Sequence, residues 1–137
     1  MRHLGIDFGT KRVGLALSDE SGSMGFPHST IPNSGKLIDE VLVLMQEKGV
    51  ECVVLGESLA FDGSQNPVAK AAKEFGEALE RRSGVPVVYE PETLTTQEAR
   101  RNFEGVRESG SGNLLVDASA AALILTSYLD KQNNGKS

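Results

Sequence analysis

The stretch Leu4-Gly-Ile-Asp-Phe-Gly-Thr-Lys-Arg-Val-Gly-Leu-Ala-Leu-Ser18 decides how the rest of the chain is interpreted. Its two apolar runs predict two strands of a packed sheet, because Val, Ile, Leu and Phe favour strands. A short basic turn joins them, with Gly9 near its start and Lys11 and Arg12 at its end. Asp7 stands between apolar neighbours, where an unpaired charge is costly. This acid therefore needs a metal ion, a buried partner or a role in the turn.

The composition predicts one globular domain over residues 1–137. Apolar residues make up 39% and charged residues 24%, and no apolar run reaches the roughly 18 residues of a membrane span, so we expect no membrane partner. The start of the chain lacks the pattern of a secretory signal, and the one cysteine, Cys52, lies in an apolar run. Both features favour a cytoplasmic location. The net charge of -5 argues against passive electrostatic binding of nucleic acid, but it allows an enzyme that holds cations with carboxylates.

The predicted elements follow the order three strands, helix, strand, helix, strand, helix, helix. Strands are expected at residues 2–8, 12–18, 26–31, 51–56 and 85–89, and helices at 37–48, 67–82, from about 95 and at 115–131. Residues 108–113 are rich in Gly and Ser and are expected to form a flexible linker. An antiparallel meander followed by right-handed crossovers gives an α/β fold, with a mixed five-stranded sheet and helices on both faces.

Acids that interrupt apolar or structural patterns mark the candidate site. Asp7 ends the first strand, Glu90 or Glu92 follows the last strand, and Asp117 begins a helix that is apolar nearly all round. Each has an ordinary explanation, as a turn residue, a solvated loop acid or a first-turn acid. Together, however, they can converge at the carboxyl ends of the central strands, where α/β folds bind ligands. Converging acids repel one another unless cations bind, and two Mg²⁺ ions about 4 Å apart can clamp a phosphodiester.

Four motifs carry a resemblance to a known family. They are Gly5-Ile-Asp-Phe-Gly-Thr-Lys-Arg-Val-Gly14, Asp62-Gly-Ser64, Leu94-Thr-Thr96 and Val116-Asp-Ala-Ser-Ala-Ala-Ala-Leu-Ile-Leu125. Together they resemble the YqgF family, whose members are RNase H-like and are described as Holliday junction resolvases or pre-16S rRNA nucleases. The resemblance covers nearly the whole chain, in the right order and at the right length.

The resemblance implies a metal-dependent endonuclease that acts on structured RNA or branched DNA. The implied catalytic residues are Asp7, Glu92 and Asp117, which would also hold two Mg²⁺ or Mn²⁺ ions. Contacts to nucleic acid are implied for Lys11, Arg12, Thr96, Arg100 and Arg101. The chain departs from the family at Pro91-Glu-Thr-Leu-Thr-Thr96, where the family has Asp-Glu-Arg-Leu-Thr-Thr. It departs again before the last helix, where Ser109-Gly-Ser-Gly-Asn-Leu-Leu replaces a stretch that is usually basic.

Two other protein classes share some of these features. An ATP-binding domain of the actin, Hsp70 and sugar-kinase type has a similar opening Asp-x-Gly-Thr, but it needs a second such domain, and nucleotide-dependent thermal stabilisation would identify it. A non-catalytic RNA- or ribosome-associated binding module would keep the fold and some acids, and the altered segment 91–93 favours it. Cleavage assays with and without Mn²⁺ discriminate this class. Monomer and homodimer are both compatible with the sequence. A junction resolvase needs two active sites, which favours a dimer, but no apolar surface pattern in the sequence indicates a dimer interface.

Overall fold

A five-stranded mixed sheet forms the centre of the fold. The computed structural model describes residues 1–57, 67–91 and 110–134, with side chains for 1–57, 68–91 and 118–133. The strands are β1 (Arg2–Phe8), β2 (Arg12–Ser18), β3 (Gly25–Pro32), β4 (Val50–Glu57) and β5 (Val87–Pro91). Their order is β3-β2-β1-β4-β5; the β1–β2 and β2–β3 pairs are antiparallel, and β4 and β5 run parallel to β1. This topology confirms the predicted α/β fold.

Three helices lie within the described residues: α1 (Leu37–Lys48), α2 (Pro67–Ser83) and α3 (Gly110–Asn134). α1 and α2 end where Gly49 and Gly84 adopt left-handed φ angles of 64° and 74°, as the glycine stops predict. None of these helices is long and apolar enough to cross a membrane. The helix predicted to begin near residue 95 lies outside the described residues.

Alternation along β1 divides its residues between two apolar layers. Leu4 and Ile6 pack with buried side chains of α1 and α2 on one face of the sheet. The intervening Gly5 and Asp7 belong to the other face, which α3 covers. The core under α3 is formed by Ala16, Val54, Ala121, Ala122, Ile124, Leu125 and Leu129. Asp7 thus lies on the α3 side of a central strand, at the strand's carboxyl end.

Glycines in the sheet allow α3 to pack directly on its surface. A Cβ at Gly5 would lie 2.7 Å from Leu125 Cβ and 2.9 Å from the Ala121 carbonyl oxygen. A Cβ at Gly56 would lie 2.5 Å from Ile124 Cδ1. Side chains at these positions would push the helix away, so the glycines set the distance between α3 and the strand that carries Asp7.

The start of α3 corrects one prediction. Residues 110–113 belong to the helix rather than to a flexible linker, and the helix begins at Gly110 instead of near residue 115. Glycine is tolerated inside a helix at a cost of about 1 kcal/mol relative to Ala. The long Ala- and Leu-rich segment that follows packs on the sheet and can offset that cost, so a Gly/Ser composition does not exclude a helical first turn.

Candidate active site

Asp7 occupies a buried position at the carboxyl end of β1. It pairs with Gly14 of β2 in the antiparallel ladder, and only 7% of its surface is exposed. The parallel ladder beside it matches Ile6 with Leu55, so the next position of β4, Gly56, lies beside Asp7. Both flanking positions in these ladders are glycines, which carry no side chain. The predicted location at the end of a central strand is therefore observed.

Asp117 lies within α3, one helical turn before Ala121. The direction of α3 follows from its contacts with β1: Tyr128 packs against His3 with ring centroids 5.9 Å apart, whereas Ala121 and Leu125 approach Gly5. The helix therefore runs against the direction of β1. Residues that precede Ala121 lie towards the Asp7 end of the strand, and the backbones of Asp7 and Asp117 share that end of the sheet. The side chain of Asp117 lies outside the described residues.

The remaining predicted site residues follow β5 in the sequence. Glu92, Thr96, Arg100 and Arg101 lie outside the described residues, and β5 ends at Pro91. Glu90 pairs with Gly56 in the parallel β4–β5 ladder. Asp7, Gly56 and Glu90 thus form one row across the sheet, and two strand spacings separate the acids by about 10 Å between backbones. The chain leaves β5 at the same end of the sheet where Asp7 lies.

Glu90 is a buried acid with identified partners. Its side chain is 4% exposed, and Oε2 accepts hydrogen bonds from Lys131 Nζ at 2.6 Å and from Ser127 Oγ at 3.0 Å. These donors stand four residues apart on α3, so they share one face of the helix. The carboxylate of Glu90 therefore ties β5 to α3. The sequence showed the i, i+4 spacing of the donors, but no local pattern linked them to an acid about 40 residues away.

The basic turn (residues 9–12) lies beside Asp7. Lys11 is exposed, and Arg12 is half-buried at the first position of β2. A Cβ at Gly9 would lie 2.5 Å from the carbonyl oxygen of Arg12, so the turn closes too tightly for a side chain there. Asn33 holds the turn from outside: its Nδ2 donates to the Gly9 carbonyl at 2.7 Å, and its backbone N–H donates to the Lys11 carbonyl at 2.9 Å. No sequence motif marks Asn33 as part of the site.

His3 lies on the same face of β1 as Asp7, towards the other end of the strand. Its Nδ1 is 3.2 Å from the Met1 carbonyl oxygen, and its ring packs against Tyr128. Burial is the main cause that lowers the pKa of His3 below its ordinary value. The imidazole is thus a packing residue under α3.

The donor chemistry of Asp7 fits a hard divalent cation. Mg²⁺ and Mn²⁺ prefer carboxylate oxygens and water, and Asp7 supplies a buried carboxylate at the end of β1. Among the side chains that the structure describes, no three His, Cys, Asp or Glu residues come close enough to share an ion. The other two predicted ligands, Glu92 and Asp117, have no described side chains. One member of the predicted ligand set is therefore located with its side chain, and a second with its backbone.

Comparison with known proteins gives a consistent family match. A model of the family described as "RuvX: Holliday junction resolvase" matches residues 1–131. A relative from Nitratidesulfovibrio vulgaris, named "Putative pre-16S rRNA nuclease", is 38% identical over 133 residues, which cover 95% of this chain and 94% of the relative. A relative of the same name from Desulfitobacterium hafniense is 34% identical over 139 residues, with 99% of this chain and 98% of the relative covered.

Solved structures with a similar fold include "T. thermophilus RuvC in complex with Holliday junction substrate". The match has a TM-score of 0.62 at 20% sequence identity and covers 96% of each chain. At this identity the likeness concerns the fold alone. It shows that the mixed five-stranded sheet with its three described helices shares the RNase H-like fold of that RuvC chain, as the resemblance implied.

Proposed function

The chain belongs to the RuvX family, described as Holliday junction resolvases, and from this premise we propose that it is a metal-dependent endonuclease for structured RNA. Family membership makes it a nuclease, an enzyme that acts on phosphodiester bonds. One observation carries the proposal for its site. Asp7 is a buried acid at the carboxyl end of β1, between an exposed basic turn and the end of α3 that contains Asp117.

The proposed roles follow from charge and position. Asp7, Glu92 and Asp117 would hold two Mg²⁺ or Mn²⁺ ions, which when bound activate a water molecule and stabilise the leaving 3′ oxygen. Burial of Asp7 strengthens its electrostatic interactions, because the local dielectric constant is lower than that of water. Lys11 and Arg12 would contact backbone phosphates, which position a nucleic acid without specifying its sequence.

Further contacts to nucleic acid are proposed for three residues after β5. Thr96, Arg100 and Arg101 follow Glu92 closely in the sequence, so they would extend the substrate contacts away from the acids. The net charge of -5 implies that these contacts form a local basic patch rather than a basic protein surface.

We propose precursor 16S rRNA as the substrate, because the curated relatives that cover nearly the full chain carry that substrate in their names. Branched DNA is the competing substrate, and its cleavage would require a particular oligomeric state. Resolution of a four-way junction needs two active sites, so activity on DNA predicts a homodimer, whereas cutting RNA at one position needs only a monomer. Sedimentation velocity with each substrate distinguishes these states.

We also propose that residues 1–137 form one domain and that the protein acts in the cytoplasm. Both cores are built on the two faces of a single sheet, which supports one folding unit. Cys52 is buried and is the one cysteine of the chain, which suits a reducing compartment.

The test is a cleavage assay on two labelled substrates, a 5′-extended 16S rRNA fragment and a four-way DNA junction. Each is incubated with the protein in Mn²⁺, in Mg²⁺ and in EDTA. We expect cleavage of the RNA with either metal and none in EDTA. Preferential cleavage of the four-way junction would show that branched DNA, and not RNA, is the substrate. If the protein binds both substrates but cuts neither of them with Mn²⁺ or Mg²⁺, the proposed nuclease activity is wrong and the protein is a non-catalytic binding module.

A further inference from the structure

Two hydrogen bonds connect Asn33 to the basic turn across a gap in sequence. Its amide Nδ2 donates to the Gly9 carbonyl at 2.7 Å, and its backbone N–H donates to the Lys11 carbonyl at 2.9 Å. Asn33 follows Pro32, which pairs with Arg12 at the end of the β2–β3 ladder. Asn33 therefore lies one position beyond the ladder, where it donates hydrogen bonds to two carbonyl groups of the turn.

The ordinary explanation for Asn33 is a cap at the start of α1, since Asn is a preferred N-cap residue. The structure assigns that region differently. α1 begins at Leu37, and its N-cap residue, Lys36, makes no side-chain capping bond. Ser34 serves the approach to the helix instead: its Oγ accepts from the Lys36 N–H at 3.2 Å, and its carbonyl accepts from the Leu37 N–H at 3.1 Å. The amide of Asn33 is directed to the turn.

The turn that Asn33 holds contains a glycine and a lysine, and each costs conformational entropy to fix in one geometry. Residues 9–11 connect β1 to β2, and Gly9 has the conformational freedom of glycine. A Lys side chain also loses much conformational entropy when it is immobilised on a phosphate. A turn whose backbone is fixed in advance reduces the ordering required when substrate binds, which strengthens binding without any new contact.

We propose that Asn33 is a positioning residue that fixes the basic turn and thereby places Lys11 for contact with the substrate backbone beside Asp7. This inference rests on the proposed function, in which Lys11 contacts a phosphate. Asn33 itself touches no substrate in this role. Its amide fixes the carbonyl of Gly9, its backbone fixes the carbonyl of Lys11, and the effect reaches the nucleic acid through the Lys11 ammonium group.

The kinetic signature follows from the nature of the contact. A phosphate contact made by Lys11 is present in the ground state and in the transition state, so its weakening raises KM and leaves kcat unchanged. The Asn33→Ala variant removes one side-chain hydrogen bond, for which we expect a rise in KM of about threefold to tenfold. The backbone bond to Lys11 remains in this variant.

The experiment compares Asn33→Ala with Lys11→Met, the double variant and Ser34→Ala as a matched control. Ser34→Ala removes a neighbouring side-chain hydrogen bond that serves the approach to α1, so its KM should stay at the wild-type value. KM and kcat are measured on the 5′-extended 16S rRNA fragment in Mn²⁺. In EDTA, the binding constant for the same RNA is measured at several salt concentrations. The magnitude of the slope of log binding constant against log salt concentration falls by about 0.7 to 0.9 for each phosphate contact that is lost.

We expect Asn33→Ala to raise KM, to lower the salt slope in the same direction as Lys11→Met, and to add nothing in the Lys11→Met background. The last result would show that Asn33 acts through Lys11, because residues that act through one contact are non-additive. Full additivity, or an unchanged salt slope with a lowered Tm, would assign Asn33 a merely structural role and overturn the inference.

Two further outcomes separate the inference from the proposed function. If wild-type protein neither binds nor cuts the RNA or the junction, the proposed function fails and the inference falls with it. If wild-type protein is active and Asn33→Ala matches it in KM and in salt slope, only the inference fails. Should Asn33→Ala not fold, Asn33→Leu has a similar side-chain volume, cannot donate to the Gly9 carbonyl, and must give the same result.

Discussion

Each of the two turns that flank β2 has an aspartate close to its start, but the two aspartates have different surroundings. Asp19, after β2, is partly exposed and binds its own loop: its carboxylate accepts from Ser21 Oγ at 2.6 Å, from Ser23 Oγ at 2.7 Å and from the Ser23 N–H at 2.8 Å. These bonds hold the pKa of Asp19 well below its usual range. Asp7, before β2, is a buried residue of the β1–β2 ladder.

The difference shows what an acid in a structural turn looks like in this protein. Asp19 stabilises a serine-rich loop from the outside, where water screens its charge. Asp7 lies on the covered face of a central strand, beside two glycines and under the helix that contains Asp117. A carboxylate is costly to bury in that position unless its charge is matched. Of the two acids, Asp7 therefore has the environment of a functional residue and Asp19 that of a turn residue.

The largest expected effect comes from exchanging each acid for its amide. Asp7→Asn should reduce metal-dependent cleavage by at least about 100-fold, because even outer-shell partners of a metal site contribute 10- to 100-fold. Its Tm should be equal or higher, since repulsion with the other acids is relieved. Asp19→Asn should keep wild-type cleavage and lower the Tm. Persistent cleavage by Asp7→Asn, or a large loss of its stability, would remove Asp7 from the triad.

The next largest effect is expected from substituting the glycines of the two turns, which should both lower stability but differ in their effect on cleavage. Gly9→Ala places a Cβ 2.5 Å from the Arg12 carbonyl oxygen, so the backbone must shift, at a cost of about 1 to 3 kcal/mol of unfolding free energy. Because this turn carries Lys11, cleavage should fall as well. Gly22→Ala is the control: its φ of 72° also makes it destabilising, but cleavage should be unchanged. Urea denaturation and initial rates on both variants test this. Equal loss of activity in the two variants would contradict the distinction.

A smaller effect is expected at Glu90, and it tests whether a buried acid is necessarily a catalytic acid. Glu90 is as buried as Asp7 but is bonded to Lys131 and Ser127. Glu90→Gln should lose about 1 to 2 kcal/mol of stability, because a charged hydrogen bond is replaced by a neutral one, and should cut RNA within a few-fold of wild type. Asp39→Asn, which breaks the exposed ion pair with Arg82, is the matched control and should change stability by less than about 1 kcal/mol. A loss of cleavage like that of Asp7→Asn would make Glu90 the acid of the site.

The smallest effect is the acid dependence of the Asp19 loop. The pKa of Asp19 in the folded protein lies below its ordinary value of 3.8, so the unfolded chain binds the proton more readily. Its contribution to stability is therefore complete above pH 3.8 and is lost as the pH falls further. Thermal melts between pH 5 and about pH 2 should show a smaller loss of Tm for Asp19→Asn than for wild type. Parallel curves for the two proteins would show that the loop bonds do not persist in solution.

Local sequence patterns predicted most of the described fold and the position of Asp7 at the end of a strand. The strand bounds agree within two residues, because each strand is a compact apolar run between turn residues. Asp7 was identified because a charge between Ile6 and Phe8 contradicts its surroundings. The linker predicted over residues 108–113 was wrong for residues 110–113, which belong to α3, since composition alone does not measure the packing that a long helix gains against a sheet.

The sequence by itself determined the strand and helix pattern of an α/β fold, the apolar surroundings of Asp7 and the basic turn beside it, because these depend on residues close together in the chain. Only the tertiary structure decided which distant groups meet. Lys131 lies 41 residues from Glu90, and Asn33 lies 24 residues from Gly9. No local periodicity encodes such pairs, since they form only after α3 packs on the sheet and β3 pairs with β2. The turn predicted around Asp7 thus depends on an asparagine that only the folded sheet brings to it.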